Sequence, residues 1–488
     1  MTALNLVVIL TYFATLLFIG AYFSRRQKSA EDYFKGKGRV PWWAAGISIF
    51  GTMLSAITYM AIPAKVYSTN WSYFYYSMTI ILIAPLVAGL FIPFYNKLNI
   101  TSAYEYLERR FNLATRVLAS FSFILFQLGR IAVVLFLPSI AISVVTGVDV
   151  LLCITVIGLI SIAYTLAGGI EAVIWTDVLQ VVVLMGGALL ALIWMVAAID
   201  GGFGEVMSIA KADDKFNLHN LDLDVTTPTL WVVILGGIAA NIISFGTDQS
   251  VVQRYVTSTD LADSKRTFYF NVAAVIPTGL LFFMIGTGLY VFYKLNAQAL
   301  APDIASNDAI FPFFIVNELP NGISGLLVAG ILSAAMSSLS SSINSSATAY
   351  VTDFHCRFKT GLSPEGQLRI ARIAALVVGI LGLLLGLWMA IADVKSMWDV
   401  FIGVIGLFTG GLAGLFLLGM LSSRANGKGA VVGLLFSAGT QLYVSRFTEI
   451  HSLMYAFTGL LACFVVGYVA SFFWPAEPNR ADGLTAAT

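Results

Sequence analysis

Charge is what this sequence lacks. Lys, Arg, Asp and Glu make up only 11% of its 488 residues, where a soluble globular domain carries about a quarter. So few charges exclude a water-facing surface for most of the chain. The balance is even, 27 basic against 26 acidic residues for a net charge of +1, so no bulk electrostatic case exists for a nucleic-acid partner. Cysteine is scarce as well. Cys153, Cys356 and Cys463 lie far apart and form no CxxC pair, which argues against a disulfide framework or a cysteine metal site. The three histidines, His219, His355 and His451, fall outside the apolar runs or at their edges. There is no HExxH and no Ser/His pair inside an apolar run, so the chain does not read as an enzyme.

What is present is apolar length. Hydrophobic residues reach 58% and the mean hydropathy is +0.87. Runs of about 18 residues or more recur from start to finish, each long enough to cross a ~30 Å hydrocarbon core. Alternating barrel segments are missing, so the spanning form is helical. The expectation is an all-α polytopic membrane protein of about thirteen spans in the lipid bilayer. Their limits are near 4–23, 41–66, 73–96, 115–143, 149–167, 172–196, 229–247, 267–293, 320–352, 369–391, 397–420, 429–446 and 452–474. The first run has no basic stretch before it and no cleavage-like end, so it reads as a retained helix.

Basic residues orient the chain. With the N-terminus outside, the inner loops hold six between Arg25 and Arg39 and four between Lys97 and Arg116, with more around Arg254, Lys265, Arg357, Arg369, Arg424 and Arg480. The outer loops hold Lys211, Lys215, Lys294, Lys395 and Arg446. The reading is an inner-membrane protein with a cytoplasmic C-terminus. The loops at 198–228 and 294–319 are expected to carry short surface helices, and the tail after Trp474 to be mobile.

Function in such a chain is sought where polar groups enter the spans, and five places qualify. Gly51, Thr52, Ser55 and Thr58 cluster in the second span, ahead of Pro63. A break there frees carbonyls that coordinate a cation; close packing of small residues is the alternative. Arg130 stands near the middle of the fourth span, either as a fork for a carboxylate or held by a buried partner or exposed carbonyls. Asp177 lies about two turns inside the sixth span with no Lys or Arg close in sequence. It is either neutralised beside a bound cation or a first-turn acid on the helix dipole. Gly246 offers a break in the seventh span, with Asn241, Ser244, Thr247, Asp248 and Gln249 around it, against an ordinary capped helix end. Ser337, Ser338, Ser340, Ser341, Ser342, Ser345 and Ser346 crowd the ninth span, more hydroxyls than packing requires and suited to a small monovalent cation. The second and seventh spans are five apart, which fits a five-plus-five inverted repeat covering spans two to eleven. The expected organisation is a leading helix and linker (1–40), a transport core (41–420), two peripheral helices (421–474) and a tail (475–488).

These residues carry a resemblance. GGIEAVIWTDVLQ at 168–180, DQSVVQRY at 248–255 and the serine-rich ninth span resemble the sodium:solute symporters, a family that includes sodium/glucose, sodium/proline and bacterial sodium/sialic acid transporters. GRVPWWAAGIS at 38–48, LSAITYMAIPAKVY at 54–67, ITSAYEYLERRF at 100–111 and LGR at 128–130 look most like the bacterial sialic acid branch. The resemblance implies alternating access and sodium as the coupled ion. It implies a first sodium site from the carbonyls of Gly51, Leu54 and Ala334 with the hydroxyls of Ser337 and Ser338. It implies a second from Asp177, Ser337, Ser340 and Ser341. Arg130 would hold a sugar acid's carboxylate, with Ser55 and Thr58 as hydroxyl contacts. Met53 and Ser77 stand where that branch has a threonine and a glutamine, and Tyr73 where it has a phenylalanine. The implied solute is therefore a sugar or sugar acid. A neutral hexose with Arg130 as a gate residue is the alternative within the family, and a passive channel the alternative outside it. No obligatory protein partner is evident.

Overall fold

The computed structural model describes the chain apart from residues 1, 219, 259, 300–308, 360, 362, 393–396, 476–482 and 487–488. Among the described residues nine helices are long and apolar enough to cross a membrane, and one bent pair makes a tenth. The rest of the expected thirteen are accounted for by one merger and two helices that miss that test. Val150–Ala197 runs 48 residues, about 72 Å at 1.5 Å per residue, more than twice a bilayer core. Gly169 divides it with φ 57° and ψ −151°, so it is the fifth and sixth spans joined end to end. Met397–Leu421 and Gly427–Phe447 are the eleventh and twelfth.

Gly169 shows why that bend needs glycine. Its positive φ is a conformation that side chains avoid. A Cβ there would also lie 2.7 Å from the Tyr33 carbonyl oxygen. Gly169→Ala should therefore cost about 1–3 kcal/mol and lower the melting temperature of the detergent-solubilised protein. Gly186→Ala, where a Cβ meets nothing within 4 Å, should leave it unchanged. Equal melting for the two variants would remove the hinge role.

Helix starts follow local sequence. Asn112, Asp149, Thr229 and Ser363 each cap a span by accepting a backbone N–H of its first turn, which satisfies donors that the helix itself cannot. The ninth span, Ile323–Ala349, is the axis of the bundle: every residue from Leu327 to Ala349 is buried. Its small side chains allow that, so the packing role of the serines holds alongside any other. Two spans break within the bundle. Trp42–Met53 and Thr58–Ser68 meet at 54°. In the seventh, Leu230–Ile242 widens into a π turn at Ile243–Thr247, Asp248 is extended, and Gln249–Tyr255 resumes the helix. The breaks fall five spans apart, as a five-plus-five inverted repeat places them.

Each long loop holds a helix, at Gly202–Ala212 and at Ile310–Asn317, but the second is not a surface helix: Ile310, Phe311, Phe314 and Ile315 are buried in the core. Two further short helices, Ala30–Lys35 and Glu105–Arg110, have no counterpart in the sequence reading. The expectation of a mobile tail is corrected at its far end. The Gly483 carbonyl accepts from Lys97 at 3.1 Å, that of Leu484 from Tyr106 at 3.0 Å, and Ala486 N–H donates to Met420 at 2.7 Å. These hydrogen bonds to the tail's backbone, invisible in composition, hold it against the bundle. Arg480 and Lys395 lie outside the described residues.

Candidate functional site

At the break in the second span the backbone switches partners. Ser55 N–H donates to the Met53 carbonyl at 3.1 Å instead of to Gly51's. Thr58 N–H donates to Ser55 Oγ at 3.4 Å, as to an N-cap, instead of to the Leu54 carbonyl. The helical donors of the Gly51 and Leu54 carbonyls are thus diverted, which is what a cation site needs from a broken helix. Ser337 Oγ is buried with no hydrogen-bond partner, and a Cβ on Gly51 would lie 3.2 Å from it. Ser338 Oγ donates to the Thr52 carbonyl at 3.2 Å, and Ala334 is fully buried on the same helix. The five residues assigned to the first sodium site therefore belong to two segments in direct contact. The helical donors of two of their carbonyls are diverted, and one of their hydroxyls has no hydrogen-bond partner.

Asp177 lies in the same contact, 3.8 Å (Cβ) from the position a Gly51 Cβ would take. It is fully buried. No Lys or Arg lies close to it in sequence, but one meets it in space. Arg254 Nη2 donates to Asp177 Oδ2 at 3.0 Å and to Ser341 Oγ at 2.6 Å. Its Nε donates to Ser48 Oγ at 2.7 Å, and Nη1 bonds the Ser250 carbonyl. Ser48 Oγ in turn donates to Asp177 Oδ2. Sequence distance concealed the pair, since the two residues are 77 apart, and Arg254 read as an inner-loop residue. It stands instead within the helical second half of the broken seventh span, fully buried. Asp177 Oδ1 keeps no partner. Ser340 Oγ donates to the Ser337 carbonyl at 3.1 Å, and Ser341 Oγ also pairs with Thr52 Oγ1 at 2.8 Å. The second set is assembled, with one free carboxylate oxygen and a guanidinium already beside it.

Arg130 is buried, and both of its structural alternatives are realised. Nη2 donates to the freed Thr52 carbonyl at 2.9 Å, and Nη1 lies 3.7 Å from Asp248 Oδ2 at the other break. Asp248 does not depend on it, because Oδ1 also accepts from Ser250 N–H at 2.7 Å and Ser250 Oγ at 2.6 Å. Gln127, one turn before Arg130, escaped notice in the sequence; Nε2 donates to Asp248 at 3.4 Å and Oε1 accepts from Ser342 at 2.8 Å. Arg130 thus spans both broken helices.

The remaining assigned residues are less closely joined. Met53, Ser55, Thr58 and Ser77 are half-buried, and Ser55 Oγ stands 3.4 Å from Thr58 Oγ1. Tyr73 is apart from the Arg130 group: Lys65 Nζ lies 4.9 Å from its ring and the His451 ring 6.4 Å away.

The model of the sodium:solute symporter family matches residues 33–437. The sodium/sialic acid symporter SiaT of Proteus mirabilis is 41% identical over 482 residues, 98% of this chain and 97% of that protein. The sodium/sialic acid symporter NanT of Aliivibrio fischeri is 38% identical over 469 residues, 96% and 93% of the two chains. A solved structure of a Na+-coupled sialic acid symporter, in a substrate-bound outward-open state with a novel Na+ site, superposes with a TM-score of 0.93 at 39% identity, covering 98% of this chain and 99% of that one.

Proposed function

Because this chain belongs to the sodium:solute symporter family, we propose that it imports sialic acid, or a closely similar sugar acid, by sodium-coupled symport. One observation carries the choice of an acidic solute. A buried guanidinium stands at the junction of both broken helices, bonded to the Thr52 carbonyl and 3.7 Å from Asp248. A fork in that position can exchange these partners for a carboxylate with little new desolvation. The two relatives named for sodium/sialic acid transport align over nearly the full chain, which supports the same solute. Ser55 and Thr58 border that junction; Met53, Ser77 and Tyr73 tune which sugar acid is accepted.

Sodium occupies the Gly51, Leu54, Ala334, Ser337 and Ser338 set, in which the helical donors of the Gly51 and Leu54 carbonyls are diverted and the Ser337 hydroxyl has no partner. A second sodium takes Asp177 Oδ1 with Ser337, Ser340 and Ser341. Ser337 is common to both sets, so the two ions are coupled through it. Binding at the break also fixes the geometry of the Thr52 carbonyl on which Arg130 rests, so sodium and solute raise each other's affinity by equal factors. The orientation is N-terminus outside and C-terminus cytoplasmic, in a bacterial inner membrane, with residues 41–420 as the moving core and the last two spans peripheral.

A second reading has an observation of its own. The contact of Arg130 with Asp248 joins the fourth and seventh spans, as a gate would, and would suit a neutral hexose. Uptake into proteoliposomes decides between them. An inward sodium gradient should drive accumulation of labelled sialic acid but not of glucose, galactose or proline, and accumulation should collapse without sodium. Accumulation of a neutral hexose alone would favour the gate, and sodium-independent equilibration would indicate a channel.

A further inference from the structure

A groove of about 540 Å³ opens where the first, fifth and tenth spans end on one side of the bundle. Ser24 and Arg25 line it from the end of the first span. Ala163, Leu166 and Ala167 line it from the last turns before Gly169, and Arg372 from the third turn of Pro364–Ile391. Several basic residues elsewhere in the loops are engaged. Arg39 pairs with Glu171, Arg116 with Asp353 and Arg357 with Glu108, while Arg109 and Arg110 bond backbone carbonyls. Among the described residues Arg25 and Arg372 have no hydrogen bond or ion pair, and Arg372 Nε is buried without a partner. No acidic residue lines the groove. Ser24 Oγ already donates to the Ala21 carbonyl at 2.7 Å, so the free donors are the two guanidinia alone.

A buried, unbonded guanidinium N–H demands an acceptor. Two guanidinia above an apolar wall of alanine and leucine, at the mouth of membrane spans, match a phosphate group carried on acyl chains. We infer that this groove binds the phosphate of an anionic phospholipid of the inner leaflet, bridging Arg25 of the first span and Arg372 of the tenth. The lipid's chains lie along Ala163, Leu166 and Ala167. The site adjoins the Gly169 hinge: Tyr33, which packs on Gly169, donates from its hydroxyl to the Thr165 carbonyl at 3.1 Å. A bound headgroup therefore ties the first span to the hinge between the fifth and sixth.

The test uses the full chain purified in an uncharged detergent, with melting temperature followed against added phosphatidylglycerol, phosphatidylcholine and inorganic phosphate. Phosphatidylglycerol should raise the melting temperature saturably, and the other two should not. Arg25→Gln with Arg372→Gln should weaken the apparent affinity at least tenfold, while Arg369→Gln, an exposed arginine on the same span, should not. An equal response to phosphatidylcholine would overturn the proposal, because no anion would be recognised. An equal response to inorganic phosphate would overturn the lipid as the source. An unchanged phosphatidylglycerol response in the double variant would place the lipid elsewhere. If the double variant does not fold, Arg25→Gln alone, at an exposed position, carries the same expectation of weakened binding.

Discussion

Arg130→Ala should reduce sodium-driven uptake of sialic acid by a factor of about 30 to several thousand, because removing one partner of a buried charged contact costs about 2–5 kcal/mol. The loss should not come through misfolding. Asp248 retains Ser250 N–H, Ser250 Oγ and Gln127, and Ser338 still bonds the Thr52 carbonyl. Arg130→Lys should recover little, since one ammonium cannot hold the Thr52 carbonyl and a carboxylate in the geometry of a planar fork. The measurement is initial uptake of sialic acid and of its methyl ester in proteoliposomes. Wild type should prefer the acid, and Arg130→Ala should lose that preference. Uptake of the acid with an unchanged half-saturation constant would remove the carboxylate role. A rise in sodium-independent leak with the acid still preferred would support the gate.

Asp177 and Arg254 carry the second large effect, which divides between stability and ion coupling. Arg254→Ala leaves the Asp177 carboxylate buried with only Ser48 beside it, and such a break costs about 3–5 kcal/mol. It should melt well below wild type. Asp177→Asn keeps the shape and the contact with Ser48, and the guanidinium it leaves without a counter-charge still bonds Ser48, Ser341 and the Ser250 carbonyl, so it should fold but melt below wild type. It should lose the second sodium, and the sodium dependence of uptake should change from sigmoidal to hyperbolic. The double variant Asp177→Asn with Arg254→Gln should melt above Arg254→Ala, because no uncompensated charge remains in the bundle. A sigmoidal sodium dependence in Asp177→Asn would rule out the second site, whatever the melting temperatures. A double variant as unstable as Arg254→Ala would mean that the arginine matters for its bonds to Ser48, Ser250 and Ser341 rather than for its charge.

The pairing also refines what sodium must do at that site. One oxygen of Asp177 is committed to Arg254 and Ser48, and the other is free. A sodium ion on the free oxygen, as proposed, would stand beside a guanidinium, and repulsion between the two would weaken the hold of Arg254 on Asp177. Arg254 belongs to the broken seventh span and Asp177 to the sixth. Ion binding there would therefore act on the contact between the sixth and seventh spans, which the proposed alternating access must move.

Sequence by itself determined the class of this protein and much of its frame. Hydropathy is a local sum, so the spans stand where their apolar runs do. Gly246 and the polar stretch at 51–58 marked the two broken spans, because small and hydroxyl side chains gather where a helix is interrupted; the bend at Gly169 went unmarked. The serine crowding in the ninth span marked the axis of the bundle. Tertiary structure alone decided which charges meet. Asp177 read as partnerless and Arg254 as a loop residue, because their encounter depends on two helices converging from opposite halves of the chain. Arg130 posed the same problem: its partners are a carbonyl freed by one break and a carboxylate held at another. Such contacts leave no periodic trace in sequence, since a buried charge is stabilised by whatever geometry brings to it and not by its neighbours along the chain.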